Sequence, residues 1–211
     1  MRQTPLEGLY VLTDNQHYAH QEWAERVELA ILGGAEVIQL RDKQLSDDAL
    51  IPTALLLKQI CADYGVIFIV NDRIKLAKQI HADGVHIGQH DLTLREARDY
   101  LGDDYLIGVS CYKHMFSALQ AQKLGADYVA FGSMFTSQTK KNAPRCPLSI
   151  ISQAQYLLDI PICAIGGITA NNCHYALDAG ADLIATTHSV FNANDPMSAA
   201  NKLNHQVIMR R

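Results

Sequence analysis

The chain has 211 residues, a net charge of −4, 48% hydrophobic residues and 19% charged residues. This composition supplies a sizeable core, and no run of lysine or arginine is long enough to predict nucleic-acid binding. No apolar stretch approaches the roughly 20 residues of a membrane span, and the first residues lack a signal-peptide pattern. Five cysteines without a CxxC pair predict a reduced, cytoplasmic protein. Length and composition leave both a monomer and a homo-oligomer open.

Short apolar runs alternate with segments of helical periodicity along the chain. In chain order, the runs predict strands over residues 9–13, 37–40, 66–70, 84–87, 105–109, 127–131, 162–165 and 183–186. The segments between them predict helices over residues 20–32, 47–64, 74–80, 94–101, 114–124, 149–158 and 171–179, with a last helix from about 195. Such alternation indicates parallel strands joined by helical crossovers.

A short repeat marks every second junction between a helix and a strand. Its shared feature is an alanine followed by an acidic residue, at Ala35, Ala82, Ala126 and Ala181. A repeat of this period suits a barrel built in four quarters. We therefore predict an α/β fold in which residues 1–211 form a single (β/α)8 TIM-barrel domain, with a doubly wound open sheet as the alternative.

Two carboxylates follow neighbouring predicted strands. Asp72 comes after the third strand and Asp91 after the fourth. Parallel strands place both at one rim, where two carboxylates repel unless a cation lies between them. Oxygen ligands of this kind suit Mg²⁺. The alternative for Asp72 is a structural role, as a partner of Arg73 or as a cap of the following helix.

Basic residues and glycines follow other strands at the same predicted rim. Arg41, Lys43 and Lys140 are cations suited to phosphate, and Gly166-Gly167 offers backbone N–H groups for a second phosphate. The alternatives are solvated loop charges for Lys140 and a simple tight turn for the glycines. The polar loop over residues 132–147 is a candidate lid.

Two histidines and one cysteine each have both a functional and a structural interpretation. His86 and His90 have a spacing that suits zinc on a helix, but they fall on a strand and its exit, which favours a barrel-lining or solvated role. Cys111 lies just past a predicted strand end, where a reactive thiol and a core position are both open.

Six motifs, in order at predicted strand ends, make the chain resemble the thiamine phosphate synthase (thiamine-phosphate pyrophosphorylase) family. They are residues 39–43 (QLRDK), 71–73 (NDR), 83–89 (DGVHIGQ) with Asp91, 107–110 (IGVS), 139–140 (TK) and 164–168 (AIGGI). The resemblance covers about residues 9–203. It implies a barrel enzyme that joins 4-amino-5-hydroxymethyl-2-methylpyrimidine diphosphate to 4-methyl-5-(2-phosphoethyl)thiazole, giving thiamine phosphate and pyrophosphate by a Mg²⁺-assisted dissociative path.

The resemblance also implies roles for the residues that match its motifs. The pyrimidine diphosphate would be held by Gln39, Leu40, Arg41, Asp42, Lys43, Asn71, Ser110 and Lys140, among which Arg41, Lys43, Ser110 and Lys140 would act in catalysis. The thiazole phosphate would be held by Ser137, Gln138, Thr139, Gly167, Thr187 and His188. The Mg²⁺ ligands would be Asp72 and Asp91.

The chain departs from the family pattern at three places. Thr136-Ser137 stands where the family often has Pro-Thr, Tyr112 where it often has histidine, and His188 where it often has serine. Neighbouring hydroxyl groups cover the first and last changes, and Tyr112 has no account from the sequence.

Three other functions compete with this interpretation. A thiazole tautomerase of the same superfamily would share the fold and the glycine site without needing the metal and diphosphate residues. A Schiff-base aldolase would need Lys43 or Lys140 as a buried nucleophile with a lowered pKa. A binding barrel without catalysis is the third alternative.

Overall fold

The predicted strands close into one parallel barrel. The protein is described by a computed structural model over residues 6–15, 19–88, 91–136 and 144–210. The strands are β1 (Gly8–Leu12), β2 (Ala35–Leu40), β3 (Ile67–Asn71), β4 (Gly84–Ile87), β5 (Leu106–Tyr112), β6 (Tyr128–Phe131), β7 (Ile162–Ile165) and β8 (Leu183–Thr186). Each pairs in parallel with the next, and β8 pairs with β1. The (β/α)8 TIM barrel is confirmed, and the open sheet is excluded.

Helices follow the strands and surround the barrel. They are α1 (His20–Leu32), α2 (Asp47–Tyr64), α3 (Ile74–Gln79), α4 (Leu94–Leu101), α5 (Met115–Lys123), α6 (Ser149–Leu157), α7 (Cys173–Asp178) and α8 (Pro196–Ile208). Trp23 on α1 is fully buried and meets Phe191, before α8, edge to face at 5.8 Å between ring centroids. In the described parts of the chain, no helix has the length and apolar character that a membrane crossing requires.

Alternation along the strands divides the core into two layers. On β6, Tyr128 and Ala130 point into the barrel, while Val129 and Phe131 pack outward with the helices. Tyr10 and Leu12 of β1 point inward in the same way. Side chains alternate between the two faces of a strand, so one inward-pointing residue fixes which other residues of that strand point inward. This period of two decides which polar strand residues reach the barrel interior.

Three of the four repeated acidic residues form hydrogen bonds at the N-terminal rim of the barrel. The Oδ2 atoms of Asp83, Asp127 and Asp182 accept hydrogen bonds from the amides of Phe68, Ile107 and Ile162, at 2.8, 2.7 and 2.8 Å. Each bond ties the start of β4, β6 or β8 to the start of the strand before it. The repeat therefore stabilises the barrel at the rim opposite the candidate site.

Strand β5 is longer than predicted and is irregular at its C-terminal end. The sequence predicts a strand over 105–109, but β5 continues to Tyr112, and its register with β6 shifts between Ser110 and Tyr112. Tyr112 adopts a positive φ of 54°, which is uncommon outside glycine. Bulges of this kind re-aim side chains beside active sites. Ser110 consequently lies within the strand, and Tyr112 faces the barrel mouth.

Candidate active site

The C-terminal mouth of the barrel holds a cavity of about 260 Å³. Seven residues predicted to contact substrate line it, namely Gln39, Arg41, Asn71, Ser110, Gly167, Thr187 and His188. They come from β2, β3 and β5 and from the loops after β2, β7 and β8. These residues lie far apart in the sequence, and the closure of the barrel brings them together.

The other predicted site residues that the structure describes do not line this cavity. Leu40 alternates with Gln39 and is buried in the outer core, and Asp42 is 3% exposed. Lys43, Asp72 and Asp91 lie in the loops after β2, β3 and β4. Ser137, Gln138, Thr139 and Lys140 fall outside the described residues, as does the middle of the candidate lid over residues 137–143. The side chains of Leu40 and Asp42 are therefore placed to shape the site rather than to line it.

Asp42 fixes the loop that carries Arg41 and Lys43. Its Oδ1 accepts from the amides of Gln44 and Leu45, both at 2.7 Å. Its Oδ2 accepts from Asn15 Nδ2 and pairs with His20 Nε2, both at 2.9 Å. Burial raises the pKa of Asp42, but these hydrogen bonds outweigh burial and hold the pKa below its usual value.

Replacing Asp42 by alanine should lower the free energy of unfolding by about 3 kcal/mol, because four partly buried hydrogen bonds lose their acceptor. The KM for the pyrimidine diphosphate, the substrate that the family resemblance implies, should rise several-fold as the Arg41–Lys43 segment loosens. Because the folded-state pKa is lowered, the Asp42 contribution is present above the unfolded-state pKa and is lost as pH falls through the folded-state pKa. Denaturant titrations at neutral and acid pH should show that the difference in free energy of unfolding between wild type and Asp42→Ala becomes smaller in acid.

The exposed residue Asp103 provides a matched control for this prediction, since Asp103→Ala also removes one carboxylate. It should leave the free energy of unfolding almost unchanged and the KM within about twofold of the wild-type value. Equal effects of the two substitutions would show that Asp42 has no special role in holding the loop.

The two predicted metal ligands sit at the ends of adjacent strands. The amide of Asp72 donates to the carbonyl of His86 at 2.9 Å, which ties the end of β3 to β4. The Asp72 carboxylate contacts the Lys43 ammonium, and Arg73 pairs with Asp47 at 2.6 Å. Asp91 Oδ2 accepts from the amide of Gly88 at 2.7 Å. The alternative pairing of Asp72 with Arg73 is therefore not what the structure shows.

The chemistry of these donors fits Mg²⁺ bound together with a diphosphate. Mg²⁺ is usually held by one or two carboxylates, with substrate phosphates and water completing its shell. The described residues contain no group of three or more His, Cys, Asp or Glu side chains that would form a complete protein cage. Asp72 and Asp91 are thus donors that suit a metal shared with substrate.

A chain of hydrogen bonds crosses the floor of the cavity. Gln39 Nε2 donates to Tyr10 Oη at 2.5 Å, and Tyr10 Oη lies 2.9 Å from Tyr128 Oη. Tyr128 Oη lies 3.0 Å from His86 Nδ1, and His86 Nε2 lies 2.9 Å from Ser110 Oγ. The barrel-lining role predicted for His86 is confirmed. Gly108 makes room for the Tyr128 ring, since a Cβ at Gly108 would lie 2.0 Å from Tyr128 Cζ.

The two glycines after β7 pack tightly against the loop after β6. Met134 donates to the carbonyl of Ile165 at 3.0 Å, and Phe135 donates to that of Gly166 at 2.8 Å. Gly167 has a φ of +65°, and a Cβ there would lie 2.3 Å from the carbonyl oxygen of Thr136. The first part of the 132–147 loop is therefore anchored to β7. The glycines form a bend after β7, and this bend lines the cavity.

All five cysteines are free and buried. Burial raises the pKa of the Cys111 thiol to about 12 and that of Cys146 to about 11. Nucleophilic cysteines need a lowered pKa and access to substrate. Cys111 is thus a core residue on the outer face of β5, and the reactive alternative has no support.

The structure adds site residues that the sequence interpretation did not single out. Tyr10, which lines the cavity, and Tyr128, which bonds to it, are the clearest. Ser189, already expected to cover the change at His188, has its Oγ donating to the carbonyl of Ile168 at 2.5 Å beside the cavity. Tyr10 and Tyr128 were hidden because a tyrosine in an apolar strand resembles core. The available signal was their inward position in the strand alternation. Tyr112, unexplained by sequence, lines the cavity through the bulge in β5.

Solved and curated proteins give independent comparisons. The chain is 42% identical to the thiamine-phosphate synthase of Thioalkalivibrio sulfidiphilus over 198 residues, covering 94% of each chain. It is 42% identical to that of Methylococcus capsulatus over 199 residues, covering 94% of this chain and 88% of the relative. The solved thiamine phosphate pyrophosphorylase of Pyrococcus furiosus superposes with a TM-score of 0.88 at 32% identity, covering 96% of each chain.

A family model gives the same result from the sequence. The model described as thiamine monophosphate synthase matches residues 9–190, which include every strand except the first residue of β1. The match, the identities above 40% and the nearly complete coverage agree with the motifs at the barrel rim. The chain therefore belongs to the thiamine monophosphate synthase family.

Proposed function

We propose that the mouth cavity is where this chain, a transferase of thiamine biosynthesis, joins 4-amino-5-hydroxymethyl-2-methylpyrimidine diphosphate to 4-methyl-5-(2-phosphoethyl)thiazole. The products are thiamine phosphate and pyrophosphate. The observation that carries the proposal is that one cavity unites Gln39, Arg41, Asn71 and Ser110 with Gly167, Thr187 and His188. The first group suits a polar ring bearing a diphosphate, and the second suits a smaller ring bearing a phosphate.

The pyrimidine side of the cavity has the charges that a diphosphate requires. Arg41 lines the cavity, and Lys43 stands beside Asp72 at the rim with its side chain 54% exposed. We assign Lys140 to the same diphosphate on the family motif. Asp72 and Asp91 would hold Mg²⁺, which when bound supplies positive charge that offsets the charge on the leaving pyrophosphate. The network around Asp42 keeps Arg41 and Lys43 in position for this task.

The reaction needs no protein nucleophile. The C–O bond between the pyrimidine methylene group and the diphosphate breaks, and both electrons leave with pyrophosphate. The amino group on the pyrimidine ring stabilises the methylene cation, and the thiazole nitrogen then donates its lone pair to form the C–N bond. The protein contributes by neutralising charge, by orienting both rings and by excluding water. The buried thiols, with their raised pKa values, agree with this assignment.

The thiazole phosphate occupies the β7–β8 side of the mouth in this proposal. The Gly166-Gly167 bend, Thr187 and His188 lie together there, and phosphate often binds near the seventh and eighth strands of this fold. Ser137, Gln138 and Thr139 are assigned to the same substrate on the family motif. His188 takes the place of the usual serine, and Ser189 supplies a neighbouring hydroxyl group.

We further propose that residues 1–211 act as one domain in the cytoplasm and that the substrates are its small-molecule partners. Free thiols at all five cysteines suit a reducing compartment. Nucleic acid and membranes have no place in this proposal, and a homo-oligomer is compatible with it.

The alternatives fit the observations less well. The Schiff-base aldolase needs a buried lysine, but no lysine of the described residues lines the cavity, and Lys43 is largely exposed. A thiazole tautomerase would not need Asn71, Asp72 and Asp91 together at one rim. Borohydride trapping with a carbonyl substrate should leave the protein mass unchanged, whereas a reduced adduct would favour the aldolase.

The direct test is incubation with both substrates and Mg²⁺, followed by chromatography for thiamine phosphate and a pyrophosphate assay. The two products should form in equal amounts, and removal of the metal with a chelator should stop both. Failure to form thiamine phosphate, or full activity without metal, would overturn the proposal. Conversion of the thiazole phosphate alone to another tautomer would instead favour the tautomerase.

A further inference from the structure

The hydrogen-bonded chain on the cavity floor ends in Gln39 and Ser110, which both line the cavity. At one end, the side chain of Gln39 is 2% exposed, and no described residue donates to its buried Oε1 atom. At the other end, Ser110 Oγ lines the cavity beside His86. A buried carbonyl oxygen without a donor is costly unless a ligand supplies one. The two ends are therefore positions where ligand groups complete the bonding.

The chemistry of the three middle residues gives the chain one direction. Tyr10 Oη accepts from Gln39, and the arrangement that bonds both phenol hydrogens within the chain has Tyr10 donating to Tyr128 and Tyr128 donating to His86 Nδ1. A neutral imidazole that accepts at Nδ1 carries its hydrogen at Nε2 and donates it to Ser110 Oγ. The hydrogen of Ser110 then remains for the ligand. Burial raises the pKa of both phenols, so each keeps its hydrogen throughout the physiological range.

We infer that Tyr10, Tyr128 and His86 are positioning residues that hold Gln39 Oε1 as an acceptor and the Ser110 hydroxyl as a donor toward the same ligand. This inference rests on the proposed function. A 4-aminopyrimidine offers the matching groups, namely N–H donors on its amino group and acceptors at its ring nitrogens. Reversing one link requires all five groups to reverse, so the two ends act as a unit.

The coupling distinguishes this role from simple packing. Tyr10 bonds to Gln39 and Tyr128, and Ser110 bonds to His86, so Tyr10 reaches Ser110 only through the chain. If Tyr10 is replaced by phenylalanine, the link is broken and the Ser110 hydroxyl is no longer held in one orientation. Removing that hydroxyl should then cost much less. A tyrosine that only fills space would leave the cost of removing the hydroxyl unchanged.

The experiment measures the dissociation constant of the pyrimidine diphosphate by calorimetry for wild type, Tyr10→Phe, Ser110→Ala and the double variant. Ser110→Ala should weaken binding about tenfold in wild type but only about twofold in the Tyr10→Phe background. Tyr64→Phe is the control background, because Tyr64 donates to Glu28 on the outer surface. In the Tyr64→Phe background, Ser110→Ala should again weaken binding about tenfold.

The inference would be overturned if Ser110→Ala weakened binding of the pyrimidine diphosphate equally in the wild-type and Tyr10→Phe backgrounds. It would also be overturned if Ser110→Ala left binding by the wild-type background unchanged. If Tyr10→Phe does not fold, Tyr128→Phe breaks the same chain at its centre and gives the same comparison. Wild-type turnover of both substrates is measured in parallel. Absence of thiamine phosphate there would reject the proposed function, and the inference with it, whereas normal turnover with equal costs rejects the inference alone.

Discussion

Replacing Asp72 by asparagine should lower turnover by at least about a hundredfold while the barrel stays folded. The substitution keeps the size of the side chain and removes the negative charge that we assign to the metal. Asp72 has a φ of 60°, and asparagine tolerates this left-handed conformation better than alanine does. Asp72→Asn is therefore the sharper variant, and Asp72→Ala and Asp91→Ala should show losses of the same order.

Steady-state kinetics over a range of Mg²⁺ concentrations would check this prediction, with circular dichroism as the test of folding. Asp99→Asn, an exposed carboxylate on α4, is the matched control and should keep full activity. Near-complete activity of Asp72→Asn or Asp91→Ala at low Mg²⁺ would show that the carboxylate pair does not hold the metal.

Replacing Gly167 by alanine should raise the KM for the thiazole phosphate by at least about tenfold and lower the free energy of unfolding by about 3 kcal/mol. The new Cβ would lie 2.3 Å from the carbonyl oxygen of Thr136 and 2.8 Å from the carbonyl carbon of Phe135. Both contacts are with backbone, so the segment after β6 must shift. That shift changes the β7–β8 side of the cavity, where we place the thiazole phosphate.

Gly65 gives a control that separates conformational strain from close approach. Its φ is +70°, close to that of Gly167, but a Cβ there would meet nothing within 4 Å. Gly65→Ala should therefore cost only about 1 kcal/mol in stability and leave both KM values unchanged. Chemical denaturation and initial-rate measurements on the two variants would provide the comparison. Equal effects of the two substitutions would mean that the contact with the β6 loop is unimportant.

The parts of the fold that depend on local pattern were predictable. Alternating strands and helices predicted the barrel, and the acidic repeat at Asp83, Asp127 and Asp182 predicted its quarters. These features are visible because each depends on residues that are close in sequence. The rim positions of Asp72 and Asp91 followed in the same way, since parallel strands must end at one rim.

Features that depend on register between strands were not predictable. The length of β5 was underestimated because the bulge at Ser110–Tyr112 exists only through its pairing with β6. The space for Tyr128 comes from Gly108, its neighbour across the same pair of strands. Neither pattern shows in one strand alone, so the hydrogen-bonded chain could not be derived before the strands were paired.

Loop side chains were the other limit of prediction. Asp42 lies within the QLRDK motif beside Arg41 and Lys43, yet its carboxylate turns toward Asn15, His20 and two backbone amides. Past the end of a strand, the period of two no longer decides where a side chain points. The sequence therefore located the loop that carries Arg41 and Lys43, but it did not show that Asp42 holds this loop in place instead of contacting substrate.

The burial of every cysteine makes the thiols a built-in reporter of how the barrel opens. Cys61 and Cys173 are on helices α2 and α7, while Cys111 and Cys163 are on strands β5 and β7. A thiol reagent can reach each only when the surrounding layer separates, so each labelling rate measures the opening free energy of its own region. Helices and strands that detach separately would give different rates, and a barrel that opens as one unit would give a single rate.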